Sequence, residues 1–237
     1  MILIFLLAAA GVYLILSIDK ESRVEEYLQD SAKSFDAEYH IIYRAFDEKA
    51  KIIYDTLVDT KEVKSLFANR DREALNQLLQ PEYRKLKRYG VKQFHFHLPD
   101  NHSFLRLHAP WLYGDDLSGF RATVVYVNKA HRPVGGFEEG IASNGFRFVF
   151  PLFLKKEYLG SVEISFDAYV LSDYLRNDYI DTRFIISKKA LLHEEHGQNL
   201  PSNYQVSRID SDFVTVRNIE KERIPLLPNI RLRHHYT

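Results

Sequence analysis

Between Lys92 and Phe166 the sequence alternates apolar and polar residues through four short runs, and this restricts the fold more than any other feature. The first two are QFHFHLP (Gln93–Pro99) and FLRLH (Phe104–His108), separated by Asp100, Asn101, His102 and Ser103. The second two are FRFVFPLF (Phe146–Phe153) and SVEISF (Ser161–Phe166), separated by residues 154–160. A period of two is the pattern of a β-strand, whose successive side chains point to opposite faces. Phe94, Phe96, Leu105, Leu107, Phe146, Phe148, Val162 and Ile164 fall on one set of positions. His95, His97, Arg106, His108, Arg147, Glu163 and Ser165 fall on the other. If the strands share one sheet, its second face carries imidazoles, two guanidiniums and a carboxylate, which describes a pocket floor better than a solvated back.

That register names the candidate site. His95, His97, Arg106, His108 and Arg147 are expected to project from one sheet face as ligand-binding residues. Arginine in a pocket offers a bidentate fork for a carboxylate, so a small anionic ligand is expected; the structural alternative is pairing with Glu163 or Asp116. The stretch APWLYGDDLSGF (Ala109–Phe120) reads as a loop folding over the face, with Trp111, Tyr113 and Asp115 closing the site. Asp115 or Asp116 could instead cap the helix that follows.

The HxH pattern of His95 and His97 also admits a metal reading, with His108 as a third imidazole. No carboxylate at ligand distance can be named from sequence, so hydrogen-bonded pocket histidines are the expected state and no metal or cofactor is implied. The chain has no cysteine, which removes disulfides, thiolate metal sites and a cysteine nucleophile. Thirty-two basic residues balance 32 acidic ones, so no basic footprint points to nucleic acid. A phosphate-binding glycine loop, a serine nucleophile elbow and HExxH are all missing from the sequence. GGFEE (Gly135–Glu139) resembles a diguanylate cyclase signature only superficially, because phenylalanine stands at the acidic position.

The N-terminal run ILIFLLAAAGVYLILSI (Ile2–Ile18) is uncharged, and Asp19 and Lys20 end it. At 1.5 Å per residue it would extend about 25 Å, slightly less than the apolar thickness of a bilayer. It is expected to be a retained membrane anchor; it has no basic start and no clear cleavage site, as a signal peptide would. No glycine or proline occurs from Val12 to Gln80, which permits one long helix. Val24, Leu28, Ala32, Phe35, Tyr39, Ile42, Phe46, Ala50, Ile53 and Leu57 recur at helical spacing, a stripe suited to packing on a core or pairing two subunits.

Farther along, Thr60 and Asp71 are candidate helix caps, and Pro81 is expected to open a separate turn ended by Gly90. Arg121–Lys129 reads as a short helix and Arg132–Gly145 as a glycine-rich connector. Asp167–Leu175 reads as a helix, and Thr182–Ser187 and Phe213–Arg217 as short strands.

The blocks FHFHLPDNHSFLRLHAPWLYGDDLSGFR (Phe94–Arg121), GGFEEGIASNGFRFVFPLF (Gly135–Phe153) and LGSVEISF (Leu159–Phe166), following a long helix, resemble the double-Cache sensor regions of bacterial chemoreceptors, histidine kinases and diguanylate cyclases. The resemblance covers roughly residues 20–190. It implies an α+β, PAS-like Cache fold with a central antiparallel sheet packed on a long N-terminal helix. It further implies a periplasmic ligand sensor in the bacterial cytoplasmic membrane, with output through a second membrane helix; a homodimer is expected from the apolar stripe of the long helix. No apolar run capable of spanning a membrane follows residue 18, so a fragment or truncated member is expected.

Arg106, Trp111, Tyr113 and Asp115 follow the order of the amino-acid-binding Cache motif, but their spacing departs from it, and no amino-acid ligand is implied. The expected organisation is a membrane helix at 1–18, helical lead-in at 19–90, ligand-binding core at 91–187 and a smaller, incomplete membrane-proximal module at 188–237. A metal-ion sensor and a membrane-anchored hydrolase are the competing readings.

Overall fold

The computed structural model describes residues 2–139, 144–175, 185–191, 204–207 and 210–216. The chain divides into two units, Met1–Ala45 and Phe46–Thr237. The first is formed by helix α1 (Ile2–Ile53), whose last two turns belong to the second unit. Among the described residues no helix is long and apolar enough to cross a membrane. Along α1 the apolar stripe is exposed at Val24 and Leu28 and buried at Phe46, Ala50 and Ile53. An amphipathic face is buried only where something covers it. In the second unit, Phe46 stacks on Phe166 with ring centroids 4.8 Å apart.

After Ile53 the helix widens into a π-turn, Tyr54–Val58, which buries Val58 and sends the Tyr54 hydroxyl to the Pro151 carbonyl at 2.8 Å. Helix α2 (Lys61–Ala68) begins at Thr60, whose side chain accepts from the Val63 amide, as its sequence indicates. Helix α3 (Arg72–Leu86) begins at Asp71, which accepts from Ala74. Here the sequence expectation fails in one respect. Pro81 lies inside α3 and does not start a new turn. A proline removes one helical hydrogen bond, but Leu79 and Tyr83 on either side are buried, and Tyr83 donates to the Lys92 carbonyl at 2.7 Å. Packing therefore carries the helix across the defect. Gly90, at φ 88°, ends the 3₁₀ turn Lys87–Tyr89 in the left-handed region, as expected of a helix-terminating glycine.

The central sheet has five antiparallel strands: β1 (Val91–His97), β2 (Ser103–Arg106), β3 (Val134–Glu138), β4 (Gly145–Leu154) and β5 (Glu157–Asp167), in the order β2-β1-β5-β4-β3. Its register places Phe96 opposite Leu105 and Val162, and Phe148 opposite Ile164. That apolar face packs on the lead-in helices: Phe67 of α2 meets Phe96 and Phe104 edge-on, at 5.4 and 5.0 Å. Phe104 can join it because a bulge in the β1–β2 pairing leaves it opposite no residue.

β3 arises inside the stretch expected to be a connector. Gly135 and Gly136 pair with Phe148 and Arg147, and their missing side chains erase the alternation that would have announced an edge strand. The helix expected over Arg121–Lys129 is α4 (Ala122–Ala130), lying against β3, β4 and β5. The helix expected over Asp167–Leu175 is α5 (Ala168–Leu175). A second sheet, in the order β6-β8-β7, is built from β6 (Ile186–Ser187), β7 (Tyr204–Val206) and β8 (Phe213–Val216) around Ile186, Leu191, Tyr204 and Val214. Part of the strand expected at 182–187, and the chain beyond Val216, fall outside the described residues.

Candidate functional site

The opposite face of the five-stranded sheet is polar and buried. His95 stands across from Arg106 on one side and Glu163 on the other; His97 faces Ser103 and Ser161, and Arg147 faces Ser165. Directly opposed residues of antiparallel strands share a face. His95, His97, Arg147 and Glu163 are each no more than 1% exposed. Groups so expensive to desolvate must be paired or hydrogen-bonded. Ser103 Oγ lies 2.8 Å from His95 Nε2, and Ser161 Oγ lies 3.1 Å from His97 Nδ1. The two imidazole centroids are 4.1 Å apart, and His108 stands 6.2 Å from His95.

Each arginine has a different employment. Arg147 Nη1 donates to Glu163 Oε1 at 2.5 Å and to Gln93 Oε1 at 2.6 Å, and its Nε lies 3.5 Å from Glu138 Oε2. The structural pairing with Glu163 that its sequence left open is the arrangement found. Arg106 instead meets Asp115 with both ends of its fork, at 2.7 Å each, and donates to the Leu112 carbonyl at 3.0 Å.

The loop after β2 is fastened at several points. Gly114 donates to the Ser103 carbonyl at 2.8 Å, and Ser103 donates to that of Asp115 at 3.0 Å. From α3, Gln80 donates to the Leu107 carbonyl at 2.6 Å and Arg72 to the Pro110 carbonyl at 2.8 Å. The Arg72 guanidinium also lies 3.7 Å from the centre of the Tyr113 ring.

Asp115 therefore meets the polar face, whereas Trp111 and Tyr113 do not close over it: they are 74% and 56% exposed. With the loop pinned to α3 and the edge of β2, these rings are left at its rim. Asp115 and Asp116 do not cap α4 either. Asp116 turns to the Ser118 amide at 2.9 Å, while Glu138 of β3 accepts from the Thr123 amide and hydroxyl at 2.9 and 2.8 Å.

Sequence patterning missed Arg121. It sits at the loop–helix junction, outside any alternating run, yet it is buried, with Nη1 3.7 Å from Glu138 Oε2. No hydrogen-bond partner among the described residues meets Arg121 Nε, His97 Nε2, His108 Nδ1 or Glu163 Oε2. An open cleft of about 600 Å³, the size of a small-molecule pocket, reaches Arg121 and Glu138 past Phe120, Tyr126 and Phe137.

The electrostatics follow from burial. His95 is driven well below the usual imidazole value by desolvation and by neighbouring His97 and Arg106. Burial likewise takes His97 to about 3, against an opposing pull from Glu163, and His108 to about 4. All three are neutral at pH 7 and present lone pairs as well as N–H groups. Burial alone would raise Glu163, but Arg147 and Arg121 outweigh it and hold the carboxylate below its ordinary range. The hydrogen bonds from Arg106 keep Asp115 ionised in the same way.

Three potential metal-ligating atoms, one each from His95, His97 and Glu163, lie within 4.8 Å of one another. Ser161, beside His97, has a fully buried side chain on a strand interior.

No curated protein matches the chain. Among solved structures, the sensor domain of the V. cholerae histidine kinase DctB is similar over 65% of this chain and 61% of its own, at 15% identity and a TM-score of 0.51. The E. coli DcuS sensor domain matches 58% of this chain and 99% of its own, at 13% identity and a TM-score of 0.47. A domain of a putative sensory box/GGDEF family protein from Vibrio parahaemolyticus matches 66% of each chain, at 14% identity and a TM-score of 0.47. The chain spans 63% and 61% of the first two solved structures it matches. The fold is the α+β, PAS-like Cache arrangement. Residues 29–217 match the family described as the double sensory domain of two-component sensor kinases, and the chain belongs to that family.

Proposed function

We propose that this chain is the extracytoplasmic sensing region of a bacterial transmembrane receptor, and that its polar sheet face takes a small carboxylate-bearing ligand. The observation that carries the reading is the half-buried fork of Arg106, which already holds a carboxylate, that of Asp115. Asp115 comes from an exposed loop, so a ligand carboxylate can take its place without unfolding anything. His95, His97 and His108 line the same face as neutral hydrogen-bonding groups, and Arg121 adds a second guanidinium with an unpartnered Nε. Arg147 belongs to the floor, where its pairing with Glu163 sets the position of both. Trp111 and Tyr113 would meet a ligand only if the loop moved. The role is recognition, with catalysis left to any attached effector.

The remaining parts follow the same reading. The uncharged residues 2–18 attach the chain to the cytoplasmic membrane with the sheet outside. The apolar stripe from Val24 pairs two copies, and the second sheet, which begins with β6, belongs to a smaller membrane-proximal module. The balanced charge gives nucleic acid no foothold.

Thermal-shift and calorimetric titration of the purified chain with mono-, di- and tricarboxylates, amines and neutral sugars tests the ligand class. Carboxylates should raise the melting temperature, and Arg106→Ala should remove the shift. Stabilisation by amines or sugars alone would overturn the anionic reading.

A further inference from the structure

We propose that His95, His97 and Glu163 form a binding site for one divalent transition-metal ion of the zinc class. The HxH pair was visible in the sequence; the missing member, a carboxylate at ligand distance, is supplied by β5. The pairing of β1 with β5 puts Glu163 directly opposite His95, and the three ligand atoms lie within 4.8 Å of one another. Tetrahedral zinc at about 2.0–2.2 Å from nitrogen and oxygen requires ligand atoms roughly 3.4 Å apart, so closure asks each side chain for a shift on the order of 1 Å.

Two further observations point to an occupant. His97 Nε2 and Glu163 Oε2 belong to fully buried side chains and have no hydrogen-bond partner among the described residues. Buried polar atoms are rarely left so, and each is the atom its residue would offer to a metal. The other atom of each group is already held: Ser161 fixes His97 Nδ1, and Arg147 fixes Glu163 Oε1. Ser103 steadies the His95 ring. Outer partners that orient the ligating imidazole and carboxylate are the usual support of a metal site.

Two nitrogens and one carboxylate suit zinc and its neighbours better than magnesium or calcium, which prefer oxygen. The nearby guanidiniums oppose a cation, but Arg106 is paired with Asp115, and Glu138 lies beside Arg121 and Arg147. Three protein ligands leave one position open, and these guanidiniums favour an anion there. The inference does not depend on which organic ligand the receptor takes, because the metal alone tests it.

The full chain, stripped with chelator, is titrated with Zn²⁺ and with Co²⁺, and the zinc-loaded wild type is studied by X-ray absorption. One ion per chain is expected, with two imidazoles and one carboxylate in the absorption fit and a low-coordinate cobalt spectrum. His97→Ala should weaken zinc binding at least tenfold, and Ser161→Ala, which removes only the orienting hydroxyl, by about tenfold or more. Circular dichroism establishes that each variant is folded, and the absorption fit needs no variant at all. Absence of stoichiometric binding to the wild type overturns the proposal. So does undiminished binding in folded His97→Ala.

Discussion

Arg106 grips both carboxylate oxygens of Asp115, each at 2.7 Å, directly across the β1–β2 pair from His95. A bidentate guanidinium–carboxylate pair is a strong and specific contact, and here a loop residue makes it where a ligand would. The pair therefore acts as an internal competitor for the site.

Removing that competitor should tighten ligand binding. Asp115→Asn is expected to raise carboxylate affinity several-fold in a calorimetric titration, because Arg106 no longer has to exchange partners. Arg106→Ala should lower it roughly ten- to hundredfold, the loss of a charge-assisted hydrogen bond worth about 1.5–3 kcal/mol. If Asp115→Asn weakens binding instead, Asp115 serves to aim Arg106 and the competitor reading fails.

The Arg147–Glu163 pair should behave oppositely, as a structural unit. Both side chains are buried, so Arg147→Met alone leaves a carboxylate without its main compensation and should cost about 3–5 kcal/mol in urea unfolding. Arg147→Met combined with Glu163→Gln should cost clearly less than the sum of the two single changes. Strict additivity would mean the two groups do not depend on each other.

A third expectation concerns Gly160, where β5 passes β1. Its φ is 138°, and a Cβ there would lie 2.1 Å from the His97 carbonyl oxygen. Backbone atoms cannot retreat as a side chain can, so Gly160→Ala combines strain with a clash. A loss of about 2 kcal/mol or more is expected in thermal unfolding. Shortening the other neighbour with Phe67→Leu should not restore it. Recovery in the double variant would show that Phe67, at 3.1 Å, is the real obstacle.

How much of this was legible follows from which signals are local. Alternation in four runs fixed both faces of the sheet, and the observed pairing of His95 with Arg106 and of Phe96 with Leu105 agrees with it. Thr60, Asp71 and Gly90 were readable because capping chemistry spans only a few residues. β3 was hidden because Gly135 and Gly136 carry no side-chain pattern. Pro81 misled because the packing that carries α3 across it comes from residues distant in sequence. The partners of each arginine were beyond reach for the same reason: whether Arg147 meets Glu163 or a ligand depends on strand order, not on either run. Arg121 and the cap from Glu138 to Thr123 arise from the way α4 crosses the sheet, which no period encodes.

The last expectation is alkaline. Tyr83 lies buried between α3 and β1 and donates to the Lys92 carbonyl at 2.7 Å; burial pushes its phenol up to about 12. In the unfolded chain a tyrosine ionises near 10, so between the two values the native state keeps a proton that the unfolded state loses. A raised folded pKa contributes stability that is complete below the unfolded value and is lost as pH rises toward the folded one. Chemical denaturation at stepped pH should therefore show stability falling from about pH 10 upward, by about 1.4 kcal/mol per pH unit for each such proton. Tyr54, raised by burial and by Asp59 and Asp55, adds to the slope. Tyr83→Phe should cost roughly 1 kcal/mol at neutral pH, the net worth of the hydrogen bond, and flatten the alkaline decline by one proton's share. An unchanged slope in the variant would mean that Tyr83 ionises alike in both states.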